Sequence, residues 1–263
     1  MQKSLSYDVL IIGAGPAGIF TALELQKRAP EKRVLIVDSG SAIADRRCPA
    51  RTGSGCMHCK TCSIMNGWAG AGAFSDGKLS LCEDVGGNLI SYMPREEAQK
   101  LIHYCDEIYL SFGAPEKVFG ENDRAAEKIA YEARRNNIEL IRCPVRHMGT
   151  EYSFEVLKAM YDFLAQQPNF SFWPHTTALR ILLENGRVSG AELQGADGGK
   201  QTVFAENVVV APGRGGAAWL SKVAKDLGLS SQNNEVDIGV RVEVPNGVMD
   251  HLTKNLYEAK LVY

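Results

Sequence analysis

The stretch "YDVLIIGAGPAGIFTALELQKR", residues 7–28, limits the fold more than any other part of the chain. Val9 to Ile12 form an unbroken apolar run, the pattern of a central parallel strand covered on both faces. Gly13, Gly15 and Gly18 follow at G-x-G-x-x-G spacing, and Ile19, Ala22, Leu23 and Leu25 then repeat as one helical face. Strand, tight turn and helix N-terminus in that order leave free amides facing outward, where a diphosphate can be held. Gly13 permits the turn, Gly15 opens the backbone to the phosphates, and Gly18 lets helix and strand pack closely. "RVLIVDSG" supplies a second apolar strand, Arg33 to Val37, ending in Asp38, twenty residues after Gly18, where a ribose-binding carboxylate belongs.

A glycine loop alone is weak evidence, so the rest of the chain has to agree with it. Downstream, "GRVSGAELQGADGGKQTVFAENVVVAPGRGG" reads as alternating strands, a turn at Asp197 to Gly199, a further strand, and an apolar strand Val208 to Ala211 closing on Pro212 and Gly213. Between the two ends lie "CMHCKTC", with Cys48 just upstream, and the glycine-rich "CSIMNGWAGAGAFSDGKLSL". These four motifs together resemble the uncharacterised FAD-dependent dehydrogenases, flavoproteins with a glutathione-reductase-type fold. In this sequence the motifs are Gly13 to Gly18, Cys48 to Cys62, Gly70 to Lys78 and Ala211 to Arg214.

The resemblance implies an α/β fold: a Rossmann-like FAD/NAD(P)-binding domain with a central parallel sheet, a helical insertion and the start of a second, substrate domain. It also implies FAD as cofactor and a hydride or electron transfer, with NAD(P)H a candidate electron partner and a small molecule as substrate. Gly13, Gly15, Ala17 and Gly18 would then contact the diphosphate of FAD, and Asp38 with Ser39 its adenosine ribose. Gly70, Ala71, Gly72 and Ser75 would line the flavin ring, where small side chains let a planar group approach the backbone. Lys78 would place positive charge near the flavin. Thr177 and Ala178 would lie by the adenine, and Ala211 and Gly213 would form the late glycine turn. A Gly-Asp return motif of such flavoproteins is missing, so the chain reads as a member cut short, either an oxidoreductase or a non-catalytic binding module. FAD-dependent RNA-modifying enzymes share the G-x-G-P-A-G start and stand as the alternative function.

Cys48, Cys56, Cys59 and Cys62 follow C-x7-C-x2-C-x2-C. Three readings stay open for them: an iron-sulfur cluster or zinc, for which the triplet is closer to ferredoxin than to zinc-finger spacing; redox thiols exchanging electrons beside the flavin; or no chemical role. His58 is a possible base or ligand within the triplet. Cys82, Cys105 and Cys143 read as buried small hydrophobes.

Residues 1–85 and 148–230 read as one discontinuous FAD-binding domain, 86–147 as a helical insertion and 231–263 as the beginning of the substrate domain. The insertion contains a helix after Pro94 with Ala98, Leu101, Ile102, Cys105 and Ile108 on one face, and a second from Asp123 to Arg135. "NLYEAKLVY" reads as a strand. The formal net charge of −2 gives no basic footprint for nucleic acid. No run reaches the roughly 18 apolar residues of a membrane span, and no signal peptide is evident, so the expected compartment is the cytoplasm.

Overall fold

The computed structural model describes residues 5–53, 55–121, 123–233, 236 and 238–263. In chain order the regular elements are β1 (Leu5–Ile12), α1 (Pro16–Arg28), β2 (Val34–Val37), β3 (Lys78–Ser80), α2 (Arg95–Ser111), β4 (Val118–Phe119), α3 (Asp123–Arg134), β5 (Glu139–Ile141) and β6 (Val145–His147). They continue with α4 (Gly149–Ala165), β7 (Phe170–Trp173), β8 (Thr177–Glu184), β9 (Arg187–Gln194), β10 (Lys200–Val210), α5 (Ala217–Asp226), α6 (Asn246–Leu256) and β11 (Lys260–Val262). Contacts divide the chain into two compact units, 1–74 with 157–233 and 75–156 with 234–263.

The first unit is built on a six-stranded sheet in the order β7-β2-β1-β10-β9-β8. Strands β7, β2, β1 and β10 run parallel, while β9 and β8 return antiparallel, so the sheet is parallel in its middle and closed by a hairpin meander on one side. All of Val9–Ile12 and Val34–Val37 are buried, as an apolar run without alternation demands of strands covered on both faces. One face packs Leu10, Ile12, Leu35 and Val37 against Ala178, Ala191, Leu193, Val203 and Ala205 of the meander. Each fully buried aliphatic side chain contributes about 1.5–3 kcal/mol. Trp68 is wholly buried with its ring edge-on to Tyr161 at 5.0 Å and Phe172 at 5.2 Å, and its indole N–H donates to the Leu157 carbonyl at 3.0 Å. The stretch expected to hold a strand, then a separate apolar strand from Val208, is one continuous β10. Its first part, Lys200–Phe204, pairs with β9, and the stretch from Val203 to Val210 pairs with β1, from Leu5↔Val203 to Ile12↔Val210.

The second unit holds two small sheets, β3-β6-β4 and β11-β5. The segment 86–147 therefore contains strands as well as helices. Its core gathers Ala126, Ile129 and Leu140 with Leu252 and Leu256 from α6, while β11 pairs antiparallel with β5. Two expectations fail in this unit. Residues 246–256 are helical because Leu252 and Leu256 lie one turn apart on a buried face; only the last part of "NLYEAKLVY" is a strand. On α2 the buried positions are Ala98, Asp106 and Tyr109, while Leu101 and Cys105 are exposed. Asp106 is drawn inward because Arg146, itself buried, grips its carboxylate through Nε at 2.5 Å and Nη2 at 2.7 Å. Residues 234, 235 and 237 of the expected substrate-domain start lie outside the described residues. No helix among the described residues is long and apolar enough to cross a membrane.

Candidate functional site

At the carboxyl ends of β1 and β2 the first unit has a cavity of about 150 Å³. Gly13, Asp38, Ser39 and Asn66 line it from one side, and Thr176, Thr177, Ala178, Pro212, Gly216 and Trp219 from others. Parallel strands leave such a crevice where their carboxyl edges face helix N-termini.

The sequence dictates the shape of this corner. Gly13 has φ +107°, and a Cβ there would collide with the Ala211 carbonyl, since Ala211 donates its N–H to Ile12 at 2.8 Å and holds β10 hard against the turn. A Cβ at Gly18 would strike the Gly13 carbonyl, which fixes the closeness of helix and strand. Gly15 differs: its φ is −75° and a Cβ would meet nothing within 4 Å. Helix α1 begins there with Pro16 in its first turn, no side-chain cap and no acidic residue in that turn. The first amides of α1, Ala17 and Gly18 among them, thus carry the positive end of the helix dipole beside open space.

Asp38 combines two roles. It lines the cavity, and its carboxylate accepts from three backbone amides: Ala14 at 2.9 Å through Oδ2, and Gly40 at 2.8 Å and Gly67 at 2.7 Å through Oδ1. The acid at the end of β2 therefore knits the glycine turn, its own exit and the 66–70 loop together. The Asp38 carbonyl accepts from Thr176 N at 2.8 Å, which sets Thr176 to Ala178 along the cavity wall. Trp219 closes it from α5, its indole N–H donating to the Leu179 carbonyl at 3.1 Å.

Arg46 is the main participant that sequence reasoning missed. It is 7% exposed, and its guanidinium donates five hydrogen bonds to four carbonyls: Ser63 twice (2.6 and 3.1 Å), Ile64 (3.0 Å), Trp68 (2.6 Å) and Gly70 (2.6 Å). Its planar fork stands over the Phe74 ring at 4.8 Å. Burial pushes its pKa down to about 10, with Asp38 and Cys62 acting in the opposite direction, so the group stays charged at neutral pH. Only arginine carries enough donors in a rigid plane to satisfy a loop of converging carbonyls. The loop so held returns to the glycine turn, where Ala69 N donates to Ala14 O at 2.7 Å. No sequence motif marks Arg46; the one available signal is a charged residue beside a glycine-rich loop that has few side chains of its own.

Of the expected site residues, Gly13, Asp38, Ser39 and Ala178 line the cavity, with Thr177 beside them. Gly15, Ala17 and Gly18 form the turn and the start of α1, and Ala211 and Gly213 form the exit of β10. Gly70, Ala71 and Gly72 lie in a 3₁₀ turn, Gly70–Phe74, whose first residue would bring a Cβ to 3.3 Å from the Gly15 Cα. Ser75 and Lys78 belong to the second unit. There the Ser75 hydroxyl accepts from Gly77 N at 3.1 Å, and Lys78 Nζ is 2.7 Å from Glu258, a hydrogen bond that raises the lysine pKa. The Lys78 charge is thus already balanced within its own unit.

Among the described residues no three His, Cys, Asp or Glu side chains converge to hold an ion. Cys56 and Cys59 are exposed, Cys48 and Cys62 half-buried, and all are thiols. Backbone φ is positive at Gly53, Gly55 and His58. Cys82 and Cys143 are half-buried and Cys105 exposed, in place of the buried positions expected of them.

The sequence matches the FAD binding domain family over residues 8–234. No curated protein sequence matches the chain. Among solved structures it is similar to 3-ketosteroid-Δ4-(5α)-dehydrogenase from Rhodococcus jostii RHA1, at 16% identity and TM-score 0.49, over 80% of this chain and 46% of that one. It is also similar to a point-mutant form of E. coli quinol fumarate reductase FrdA (18%, TM-score 0.46, 80% of this chain and 33% of that one). A third is L-amino acid deaminase from Proteus vulgaris (15%, TM-score 0.46, 87% and 52%). The chain spans about a third to a half of the length of these solved chains. With its glycine turn, uncapped helix and β2 carboxylate inside the matched residues, the chain belongs to the FAD binding domain family.

Proposed function

We propose that this chain carries the FAD-binding part of an FAD-dependent oxidoreductase acting on a small molecule, in the cytoplasm. The observation that supports it is the pairing of an uncapped, acid-free α1 N-terminus with a cavity bounded by the β2 carboxylate. A diphosphate suits the former, because unsatisfied amides and the helix dipole favour two adjacent negative charges. A nucleoside suits the latter. Asp38 and Ser39 offer oxygens to ribose hydroxyls, while Thr177, Ala178 and Trp219 offer flat and apolar surface to a base.

When bound, the flavin of FAD supplies hydride and electron transfer at its ring. The chain's own residues bind and orient. Gly13 and Gly15 keep side chains away from the diphosphate, Asp38 fixes the turn while facing the ribose, and Arg46 holds the 63–70 carbonyls so that Gly70 to Gly72 present bare backbone. The test is to purify the chain with added FAD and record the visible spectrum and binding isotherm. A yellow protein with one FAD per chain is expected; a colourless one that takes up no FAD, yet unfolds cooperatively, overturns the proposal.

A further inference from the structure

In the second unit β3 pairs antiparallel with β6 in the register Lys78↔His147, Leu79↔Arg146 and Ser80↔Val145. The pairing continues one step, because Leu81 N donates to the Pro144 carbonyl at 2.8 Å. The next opposed residues are Cys82 and Cys143. Since Leu81 and Pro144 share the hydrogen bond, the two cysteines fall at a non-hydrogen-bonded position, where facing Cα atoms are about 4.5 Å apart and side chains approach each other most closely. That spacing lies within the range a disulfide spans, about 4.4–6.8 Å. The side chains do meet: the Cys82 thiol hydrogen-bonds Cys143, and the Cys143 thiol is 3.6 Å from the Pro144 carbonyl. Both residues are half-buried, so small reagents reach them.

We propose that Cys82 and Cys143 are a redox modification site, closing reversibly to a cross-strand disulfide. The oxidant is a low-molecular-weight disulfide such as oxidised glutathione. Cys143 loses its proton and attacks one sulfur of the reagent, forming a mixed disulfide and releasing one glutathione thiolate. Cys82 then loses its proton and attacks the Cys143 sulfur, releasing the second glutathione; the protein is oxidised by two electrons and the reagent reduced by two. Burial, followed by the bond to Cys143, holds the Cys82 thiol up at about 12, so closure speeds up as the pH rises through the alkaline range. The new bond ties the end of β3 to the start of β6 and closes the long loop carrying α2, β4, α3 and β5.

The experiment treats the purified chain with oxidised glutathione, blocks remaining thiols with N-ethylmaleimide, and maps peptides without reduction. A Cys82–Cys143 linked peptide is expected, together with a melting temperature several degrees higher that falls back on adding dithiothreitol. In Cys82→Ser both the linked peptide and the rise are absent. The proposal is overturned if both cysteines carry N-ethylmaleimide after oxidation as fully as before, or if the only disulfides found join cysteines of the 48–62 loop. The peptide map of the unmutated chain decides the matter even if the serine variant fails to fold.

Discussion

Gly13 and Gly15 are two residues apart in one motif, yet the structure predicts opposite failures for them. At Gly13 a side chain meets the Ala211 carbonyl and must also adopt φ +107°. Backbone strain of that kind costs about 1–3 kcal/mol, and the collision adds to it, so Gly13→Ala should lose about 3 kcal/mol or more of stability. At Gly15 the backbone suits any residue and the space ahead is open. Gly15→Glu should therefore leave the cofactor-free protein as stable as before to within about 1 kcal/mol, since an acid at a helix N-terminus is mildly favourable. The same carboxylate would set like charge beside a bound diphosphate, at a separation taken as about 4 Å. At an effective dielectric of about 20 that repulsion is about 4 kcal/mol; solvent and counter-ions reduce it to about 2 kcal/mol, which is about a thirty-fold loss of affinity. Denaturant titration without FAD and calorimetric titration with FAD measure the two quantities separately. A Gly15→Glu protein that is folded and binds FAD within threefold of the parent would show that the diphosphate is not held at α1.

Other expectations follow from single residues. Arg46→Met leaves four carbonyls without their buried donor and should cost about 3 kcal/mol or more, with faster amide exchange at Gly67 to Gly70; Arg46→Lys should recover part of both. Thr177→Trp should fill the cavity and weaken FAD binding while leaving denaturant stability within about 0.5 kcal/mol, because Thr177 is exposed. For Glu258, burial raises the pKa but the bonds from Lys78 and Lys260 outweigh it and the net shift is downward, so its contribution is present above 4.5 and lost as the pH falls below that value. Lys78→Met should remove most of this acid-side loss, about 1 kcal/mol or less, in melts from pH 6 down to pH 3. Timed alkylation with mass mapping should modify Cys56 and Cys59 ahead of Cys48 and Cys62.

The elements legible in the sequence are those whose environment is uniform. Strands β1 and β2 are buried on both faces over Val9–Ile12 and Val34–Val37, so an apolar run suffices to find them. Where long-range partners decide, local pattern misleads. Asp106 looks like a solvated acid until Arg146, forty residues away, turns it inward. In the C-terminal segment Ile238 and Val240 are exposed, and the burial lies in Leu252 and Leu256 of α6. At the site, glycine spacing and Asp38 are visible because each answers a local backbone need. Arg46, Asn66 and Trp219 are not, since each matters only through loops that meet in space. The Cys82 and Cys143 pair is hidden in the same way: its meaning comes from the β3 and β6 register and from no spacing along the chain.

The pairing of β1 with β10 has a bearing on how the protein is made. Strand β1 leaves the ribosome early, yet one of its two neighbours lies nearly two hundred residues later, and the far wall of the nucleoside cavity reaches Trp219. A nascent chain with the glycine corner already synthesised holds only part of the cofactor's cradle. Contacts so distant in sequence are slow to form and leave bare strand edges in the meantime. FAD can thus reward only a chain already synthesised as far as Trp219, and until then the early β-α-β segment depends on chaperones or on its own packing to stay out of aggregates.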